Sequence, residues 1–136
     1  MQDQHLFMTE DDFVRVMALR PNPQLWKELD RAIVVSPDSI SSSVVTMYSR
    51  LRYRDESAGA CQQIQIVFPE DADVDEGKVS VLAPIGAALL GLALGQAIDW
   101  EFPDAQTRRL RVEEILYQPE TWPREVREVT PASPGR

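Results

Sequence analysis

Cysteine and histidine are nearly absent from this 136-residue chain, which has one of each, Cys61 and His5. A single cysteine excludes an internal disulfide and fits the reducing cytoplasm. We expect Cys61 to be a packed or half-exposed thiol and not a nucleophile. Without a second imidazole a histidine-based metal site is excluded, and the position of His5 near the chain start argues against a Ser-His-Asp triad. No metal or cofactor is expected.

Positive charge is also scarce. Lysine and arginine together number 14 against 22 aspartates and glutamates, which gives a net charge of -8. Nucleic-acid phosphates would be repelled at long range, so no direct binding of nucleic acid is expected. The first residues, MQDQHLFMTEDDF, lack a basic stretch followed by an apolar run and do not form a secretory signal.

Only one long apolar run occurs, in residues 79–100. Its length approaches that of a membrane span, but Pro84 would interrupt the helix and Asp99 adds a charge, so no membrane partner is expected. Its glycines have the spacing of a phosphate-binding loop, yet Leu92 and Ala93 stand where such a loop needs lysine and serine or threonine. The run is therefore predicted to be core: a strand, a turn, a buried helix and a further strand.

A short helical hairpin is predicted at the N-terminal end. Thr9 is suited to cap a helix whose first turn carries three acids. Two prolines in the segment Arg20–Gln24 break that helix, and a second helix follows with Leu25, Leu29 and Ile33 on one stripe. Each helix has about ten residues, so the hairpin reaches only about 15 Å.

After a serine-rich linker the pattern changes to that of a sheet. Residues 44–55 alternate between polar and apolar with period two, which predicts a strand. Further strands are predicted over 62–69, 78–83, 96–102 and 107–118, with a helix that begins at Pro84 and stops at Gly91. The fold class is α+β, an antiparallel sheet of about five strands with one packed helix. We divide the chain into a hairpin with its linker (1–40), a sheet domain (41–120) and a tail expected to be disordered (121–136).

Two acidic clusters imitate metal sites. In residues 71–77, DADVDEG, three aspartates alternate as in a calcium loop, but Glu76 replaces the required glycine and Leu82 the bidentate glutamate, so a solvated loop is preferred. Glu10, Asp11 and Asp12 could hold a magnesium ion, although their place in the first turn of a helix has a sufficient structural explanation.

Arginines line one face of the first strand of the sheet, at Arg50, Arg52 and Arg54, and Arg109 and Arg111 continue the stripe on another strand. Such spacing follows from strand geometry. A solvent-facing surface paired with local carboxylates is the preferred interpretation, and a docking face for an acidic partner surface is the alternative.

Three segments carry a resemblance to a known family: VVTMYSRLRYRD at 44–55, VSVLAPIGAALLGLALGQAIDWEFPD at 79–104 and LRVEEILYQPE at 110–120. Together they resemble the C-terminal domain of the Gre-type (GreA/GreB) transcript cleavage factors and, within that family, the Rnk-type regulators of nucleoside diphosphate kinase. The resemblance covers about three fifths of the chain.

The resemblance implies an FKBP-like fold for the sheet domain and docking on RNA polymerase near its secondary channel. It places the partner contact at the turn into the helix, at Ala83, Pro84, Ile85 and Gly86. Family members commonly have serine before this proline, so Ala83 is a departure that removes a hydroxyl cap.

Gre factors also extend a long coiled coil whose acidic tip helps to place magnesium at the polymerase active site. Here the hairpin is short, a truncated coiled coil, and its tip, Arg20-Pro21-Asn22-Pro23-Gln24, has no carboxylate. Metal-assisted cleavage requires anionic oxygen ligands. We therefore expect no stimulation of transcript cleavage.

These observations lead to the hypothesis of a non-enzymatic transcription regulator that occupies the Gre-factor site on RNA polymerase, competes with Gre-type factors and acts on DNA only through the polymerase. Direct control of nucleoside diphosphate kinase by protein contact is a third possibility, which the resemblance alone implies. An FKBP-like prolyl isomerase is the alternative from a different class, and it would need Tyr53, Trp100, Phe102 and Tyr117 to converge on a proline pocket. A general protein-interaction module is a further alternative.

Overall fold

The computed structural model describes residues 6–121. His5 and the residues beyond Thr121 lie outside the described part, and with them the expectation of a disordered tail. Within residues 6–121 no helix has the length and apolar character needed to cross a bilayer.

The N-terminal segment, residues 6–35, is here called the arm. Strand β1 (Phe7–Thr9) leads into helix α1 (Glu10–Ala18), helix α2 (Pro23–Asp30) and strand β2 (Ile33–Val35). β1 and β2 pair in parallel, so the two ends of the arm meet side by side. The two predicted helices are present, but the sequence pattern does not predict the two strands, and a free-standing hairpin is not confirmed.

Both arm helices start at the capping residues that sequence chemistry favours. The Asp12 amide donates to Thr9 Oγ1 (3.1 Å) and the Leu25 amide donates to Asn22 Oδ1 (3.0 Å), which satisfies one otherwise unpaired donor of each helix.

The prediction that Ile33 continues the apolar stripe of α2 is wrong, because α2 ends before it. Ile33 is 38% exposed and begins a β-branched run that favours extended backbone.

A five-stranded sheet follows the arm, with strands β3 (Arg50–Asp55), β4 (Ala60–Val67), β5 (Lys78–Ser80), β6 (Ala97–Glu101) and β7 (Thr107–Tyr117). Their order across the sheet is β5-β4-β3-β7-β6. Neighbours are antiparallel except β4 and β5, which run parallel, so the expectation of a wholly antiparallel sheet is wrong at this edge. The physical reason is the connection 68–77, which is too long for a tight hairpin and carries the chain back along β4.

The first strand of the sheet starts later than its alternating pattern predicts. Residues 46–49 form a turn in which the Ser49 amide donates to the Thr46 carbonyl (3.0 Å). Tyr48 has a φ of 68°, which no strand residue adopts. From Arg50 onward the alternation holds, with every second residue buried.

Helix α3 (Pro84–Leu89) buries its apolar side against the sheet, as the apolar run 79–100 predicts. Gly91 follows with a φ of 87°, the left-handed conformation in which glycine commonly ends a helix. The same core includes Val16, Leu25 and Leu29 of the arm. One continuous core therefore holds the arm against the sheet.

Candidate docking surface

The turn into α3 combines exposed apolar atoms with a fixed backbone. Ala83 is the N-cap residue, and its side chain makes no capping bond, while its amide donates to the Ser80 carbonyl (2.9 Å). Leu82 is 39% exposed, and Pro84 and Ile85 are half-buried. We call Leu82, Pro84 and Ile85 the ridge.

Gly86 is buried next to the ridge. A Cβ at this position would lie 2.4 Å from the Ser80 carbonyl oxygen and 3.2 Å from Val81 Cα. The close approach of α3 to the end of β5 therefore requires glycine. Gly86 therefore holds residues 83–85 in position. It is itself buried and does not offer a contact to a partner.

Two depressions flank the ridge. The arm groove has a volume of about 230 Å³ and is lined by Asn22, Gln24, Leu82, Pro84, Trp100, Glu101, Phe102 and Pro103. The sheet pocket has a similar volume and is lined by Tyr53, Asp55, Ala58, Ala60, Gln62, Ile85 and Arg108. Because Pro84 borders one depression and Ile85 the other, a partner that covers the ridge brings side chains against both.

Arg108 lies between the two depressions. Its guanidinium is 4.8 Å from the centroid of the Phe102 ring and 3.6 Å from Asp55 Oδ2. In the sheet pocket the Tyr53 hydroxyl and Gln62 Oε1 form a hydrogen bond (3.2 Å). Burial, assisted by the nearby Asp55, raises the pKa of Tyr53. The sheet pocket therefore offers neutral hydrogen-bonding groups beside a compensated ion pair.

The aromatic residues that a prolyl isomerase pocket would need are divided among three places. Trp100 and Phe102 line the arm groove, Tyr53 lines the sheet pocket, and the Tyr117 ring lies 5.1 Å from the Arg50 guanidinium. A proline ring needs one pocket with an apolar lining. The geometry gives this alternative no support.

The arginine stripe lies on the opposite face of the sheet from the ridge. Leu51 and Tyr53 of β3 point into the core on the side of α3, while Arg50, Arg52 and Arg54 alternate with them and point outward. The structure therefore does not bring these two sets of candidate contact residues together.

Each arginine of the stripe lies beside a carboxylate or an aromatic ring. Ion pairs join Arg52 to Glu114 (2.5 Å), Arg54 to Glu113 (3.1 Å), Arg109 to Asp99 (3.3 Å) and Arg111 to Glu56 (2.6 Å). A register shift leaves Glu113 without an opposite residue on β3, so two successive glutamates reach the arginines. The hydrogen bond from Arg111 lowers the pKa of Glu56. This pattern of compensated charge fits the solvent-facing interpretation.

The tip of the arm, Arg20–Gln24, is bound through Gln24 to the edge strand β6 of the sheet. Gln24 Nε2 donates to the Glu101 carbonyl (3.1 Å), and the Glu101 amide donates to Gln24 Oε1 (3.0 Å). Arg20 has a φ of 56° where the chain turns between the two helices. The tip therefore does not project freely from the domain.

The three acids at the start of α1 point in different directions. Glu10 and Asp11 are exposed, whereas Asp12 is 9% exposed and accepts a hydrogen bond from the Met47 amide (3.1 Å). Burial raises the pKa of Asp12 to about 6, and the nearby Glu120 acts in the same direction. Within residues 6–121 no group of His, Cys, Asp and Glu is arranged to hold a metal ion.

The loop 71–77, which imitates a calcium site in sequence, and the single cysteine have surroundings that need no functional explanation. In the loop 71–77 the Asp75 amide donates to Asp73 Oδ1 (3.1 Å), which is a local turn bond. Cys61 is an exposed free thiol on β4, more accessible than the sequence predicts.

Sequence reasoning missed Arg108 and Glu101, which shape the two depressions. The period-two alternation of β7 was a usable signal, since it separates Arg108 from Arg109 and Arg111 and sends it to the face of α3. No comparable signal marks Glu101, because its role depends on Gln24, 77 positions earlier.

Residues 40–117 match the family model described as Transcription elongation factor, GreA/GreB, C-term. The chain belongs to this family. The matched region contains the ridge and the sheet, while the arm precedes it.

The similar proteins are regulators and transcription factors by name. A "Regulator of nucleoside diphosphate kinase" from Escherichia coli strain K12 is 44% identical over 93 residues, which are 68% of each chain. A "Transcription elongation factor GreA" from Thermodesulfovibrio yellowstonii is 30% identical over 95 residues, 70% of this chain and 60% of that protein. The solved structure of a prokaryotic transcription elongation factor GreA/GreB from Nitrosomonas europaea is 37% identical, with a TM-score of 0.66 over 85% of this chain and 100% of that one. The resemblance and the mixed α+β class are confirmed.

Proposed function

We propose that this chain is a cytoplasmic, non-enzymatic regulator of transcription that binds RNA polymerase through the ridge, at or near the secondary-channel site of Gre factors. The observation that carries the proposal is the ridge itself, three apolar residues between two depressions on a backbone held by Gly86. Apolar anchors beside pockets are where interface energy concentrates. Membership of the GreA/GreB family supports RNA polymerase as the partner.

We further propose that the protein does not stimulate transcript cleavage. The tip Arg20–Gln24 has no carboxylate, and Gln24 ties it to Glu101 on the sheet. Because metal-assisted phosphoryl chemistry needs anionic oxygens at the metal ions, the protein would act by occupying the site and by competing with Gre-type factors. The name of the Escherichia coli relative supports an effect on the regulation of nucleoside diphosphate kinase as part of the same proposal.

Ile85→Glu is expected to weaken polymerase binding about tenfold or more, since it places a charge within the apolar contact. The measurement is displacement of a labelled Gre factor from purified RNA polymerase. Leu82→Glu should act in the same direction at a more exposed position, which separates binding from folding. Val74→Glu is the matched control, because Val74 is 90% exposed and lies outside the ridge and both depressions.

Simultaneous and independent binding of this chain and a Gre factor to the polymerase would contradict the proposal. Full displacement by both ridge variants would contradict the assignment of the contact to the ridge.

A further inference from the structure

The sheet pocket lies on the α3 side of the sheet, where β3 turns into β4. Tyr53 and Asp55 alternate with outward-facing arginines and are buried on this side. Gln62 and Ala60 pair directly with them across the ladder, so their side chains leave the sheet on the same face. Ile85 of the ridge lines the same pocket. A partner that covers the ridge therefore meets the mouth of the pocket.

The volume of the sheet pocket sets the size of its occupant. The pocket holds about 230 Å³, less than the roughly 300 Å³ at which clefts for small-molecule ligands begin. This volume is too small for a nucleotide or another ligand of cofactor size, but it is large enough for one amino-acid side chain. Ala58, Ala60 and Ile85 give the pocket apolar walls. The pocket is therefore matched to a single side chain with an apolar stem.

Tyr53 and Gln62 supply the polar groups of the pocket. The Tyr53 hydroxyl donates to Gln62 Oε1 (3.2 Å), so the hydroxyl oxygen keeps its lone pairs as acceptors. The two N–H groups of Gln62 Nε2 find no acceptor among residues 6–121. Turning the Gln62 amide over exchanges the two roles and leaves the same pair of groups. One donor and one acceptor next to each other are the complement of a second primary amide.

The charges that line the pocket are already balanced. Arg108 lies 3.6 Å from Asp55 Oδ2, and Asp55 Oδ1 accepts from the Ser57 amide (3.0 Å) and the Ala58 amide (3.2 Å). Asp104, 3.6 Å from the same guanidinium, is half exposed to water and does not line the pocket. An acidic side chain in the pocket would face Asp55 and a basic one would face Arg108. An uncharged occupant is therefore favoured over either ion.

We propose that the sheet pocket binds the amide side chain of an asparagine or glutamine of RNA polymerase. The carbonyl oxygen of that amide accepts from Gln62 Nε2, and its NH2 group donates to the Tyr53 hydroxyl. This inference rests on the proposed function, because Ile85 belongs to both the ridge and the pocket. The pocket adds selectivity to the apolar contact, since a side chain of similar size without the amide leaves the donor and the acceptor unpaired.

Gln62→Glu and Gln62→Lys distinguish the occupants by charge. For an amide occupant both variants displace a labelled Gre factor from purified RNA polymerase less well than the wild type. The expected loss is about tenfold for Gln62→Glu, which removes the donor, and about threefold for Gln62→Lys, whose ammonium can still donate. A basic occupant would bind Gln62→Glu more tightly, and an acidic occupant would bind Gln62→Lys more tightly. Either gain would overturn the amide as the occupant.

Gln63→Glu and Gln63→Lys are the matched controls. Gln63 is the next residue of β4, is exposed like Gln62, and lies opposite Arg52 on the outward face of the sheet. Both control variants should displace the Gre factor as the wild type does. Equal losses at positions 62 and 63 would reveal a general effect of surface charge and overturn the role of the pocket.

Ala60→Leu tests whether the pocket is filled in the complex. A leucine side chain at this position would extend into the pocket and is expected to weaken displacement about tenfold. Ala72→Leu is the control, because Ala72 is also exposed and lies outside both depressions. Chemical denaturation checks that both variants are folded. Displacement by Ala60→Leu at the level of the wild type would show that the pocket stays empty in the complex.

The outcomes separate this inference from the proposed function. If the wild-type chain does not displace a Gre factor, both fail together. If it does, and Ile85→Glu is weakened while Gln62→Glu and Ala60→Leu match the wild type, the ridge is the contact and only the role of the pocket is overturned.

Discussion

Gly86→Ala is expected to lower the free energy of unfolding by about 3 kcal/mol. The added Cβ would stand 2.4 Å from the Ser80 carbonyl oxygen and 3.2 Å from Val81 Cα. Both neighbours are backbone atoms at the end of β5, so no side chain can rotate out of the way. Helix α3 must instead move from its close-packed position against the sheet.

Chemical denaturation measures this loss as a lower transition midpoint at an unchanged slope. Gly59→Ala is the matched control, because Gly59 has a φ of 72° but no atom within 4 Å of the added Cβ. Its cost is limited to dihedral strain of about 1 kcal/mol. Equal losses in the two variants would show that the contact with Ser80 is not what requires glycine at position 86.

The same substitution connects the fold to the proposed docking surface. Gly86 lies next to Pro84 and Ile85, so a displaced α3 shifts these residues relative to both depressions. At a temperature where both variants are folded, Gly86→Ala should displace a Gre factor more weakly than Gly59→Ala does.

Asp12→Asn is expected to raise the free energy of unfolding near neutral pH by about 2 kcal/mol. The Asp12 carboxyl is 9% exposed, and burial, with Glu120 nearby, raises its pKa from 3.8 to about 6. A rise of this size corresponds to about 3 kcal/mol between the two protonation states. Asparagine keeps an oxygen that can accept from the Met47 amide, and it carries no charge.

The stabilisation that comes from the proton on Asp12 falls as the pH rises. Because the folded state holds the Asp12 proton more tightly than the unfolded state, this stabilisation is complete below about pH 4 and is lost as the pH rises through about 6. Relative to Asp12→Asn, the wild-type chain should therefore lose up to about 3 kcal/mol across that window.

Asp11→Asn is the control for this substitution. Asp11 lies in the same first turn of α1 but is exposed, so its replacement removes a similar interaction with the helix dipole without relieving burial. Chemical denaturation curves of the wild type, Asp12→Asn and Asp11→Asn, collected between about pH 4 and pH 7, compare their stabilities. If the wild type and Asp12→Asn lose stability in parallel, the buried carboxyl is not the source of the pH dependence.

Local chemistry accounts for most of the secondary structure. Thr9 caps α1, Gly91 follows α3 with a positive φ, and the alternation after Arg50 buries Leu51 and Tyr53. Each signal is contained within a few neighbouring residues, where backbone preference and periodicity decide the conformation. This is why the helices and the five sheet strands could be predicted, with errors at their ends.

Pairings between distant segments could not be predicted in the same way. Phe7 pairs with Ile33 in the parallel arm strands, and β5 runs parallel to β4. Gln24 bonds to the backbone of Glu101, 77 positions away. No local periodicity encodes these contacts, because each requires two surfaces that meet only when the chain has folded.

By itself the sequence determined the family resemblance, the α+β class, the place of α3 and the lack of a carboxylate at the arm tip, since these depend on residue identity and short-range spacing. Only the tertiary structure decided that the arm lies on the edge of β6, that the ridge and the arginine stripe occupy opposite faces, and that Asp12 is buried. The physical reason is that burial is a property of surfaces brought together from distant parts of the chain, and its free energy depends on the area removed from water by all of them at once.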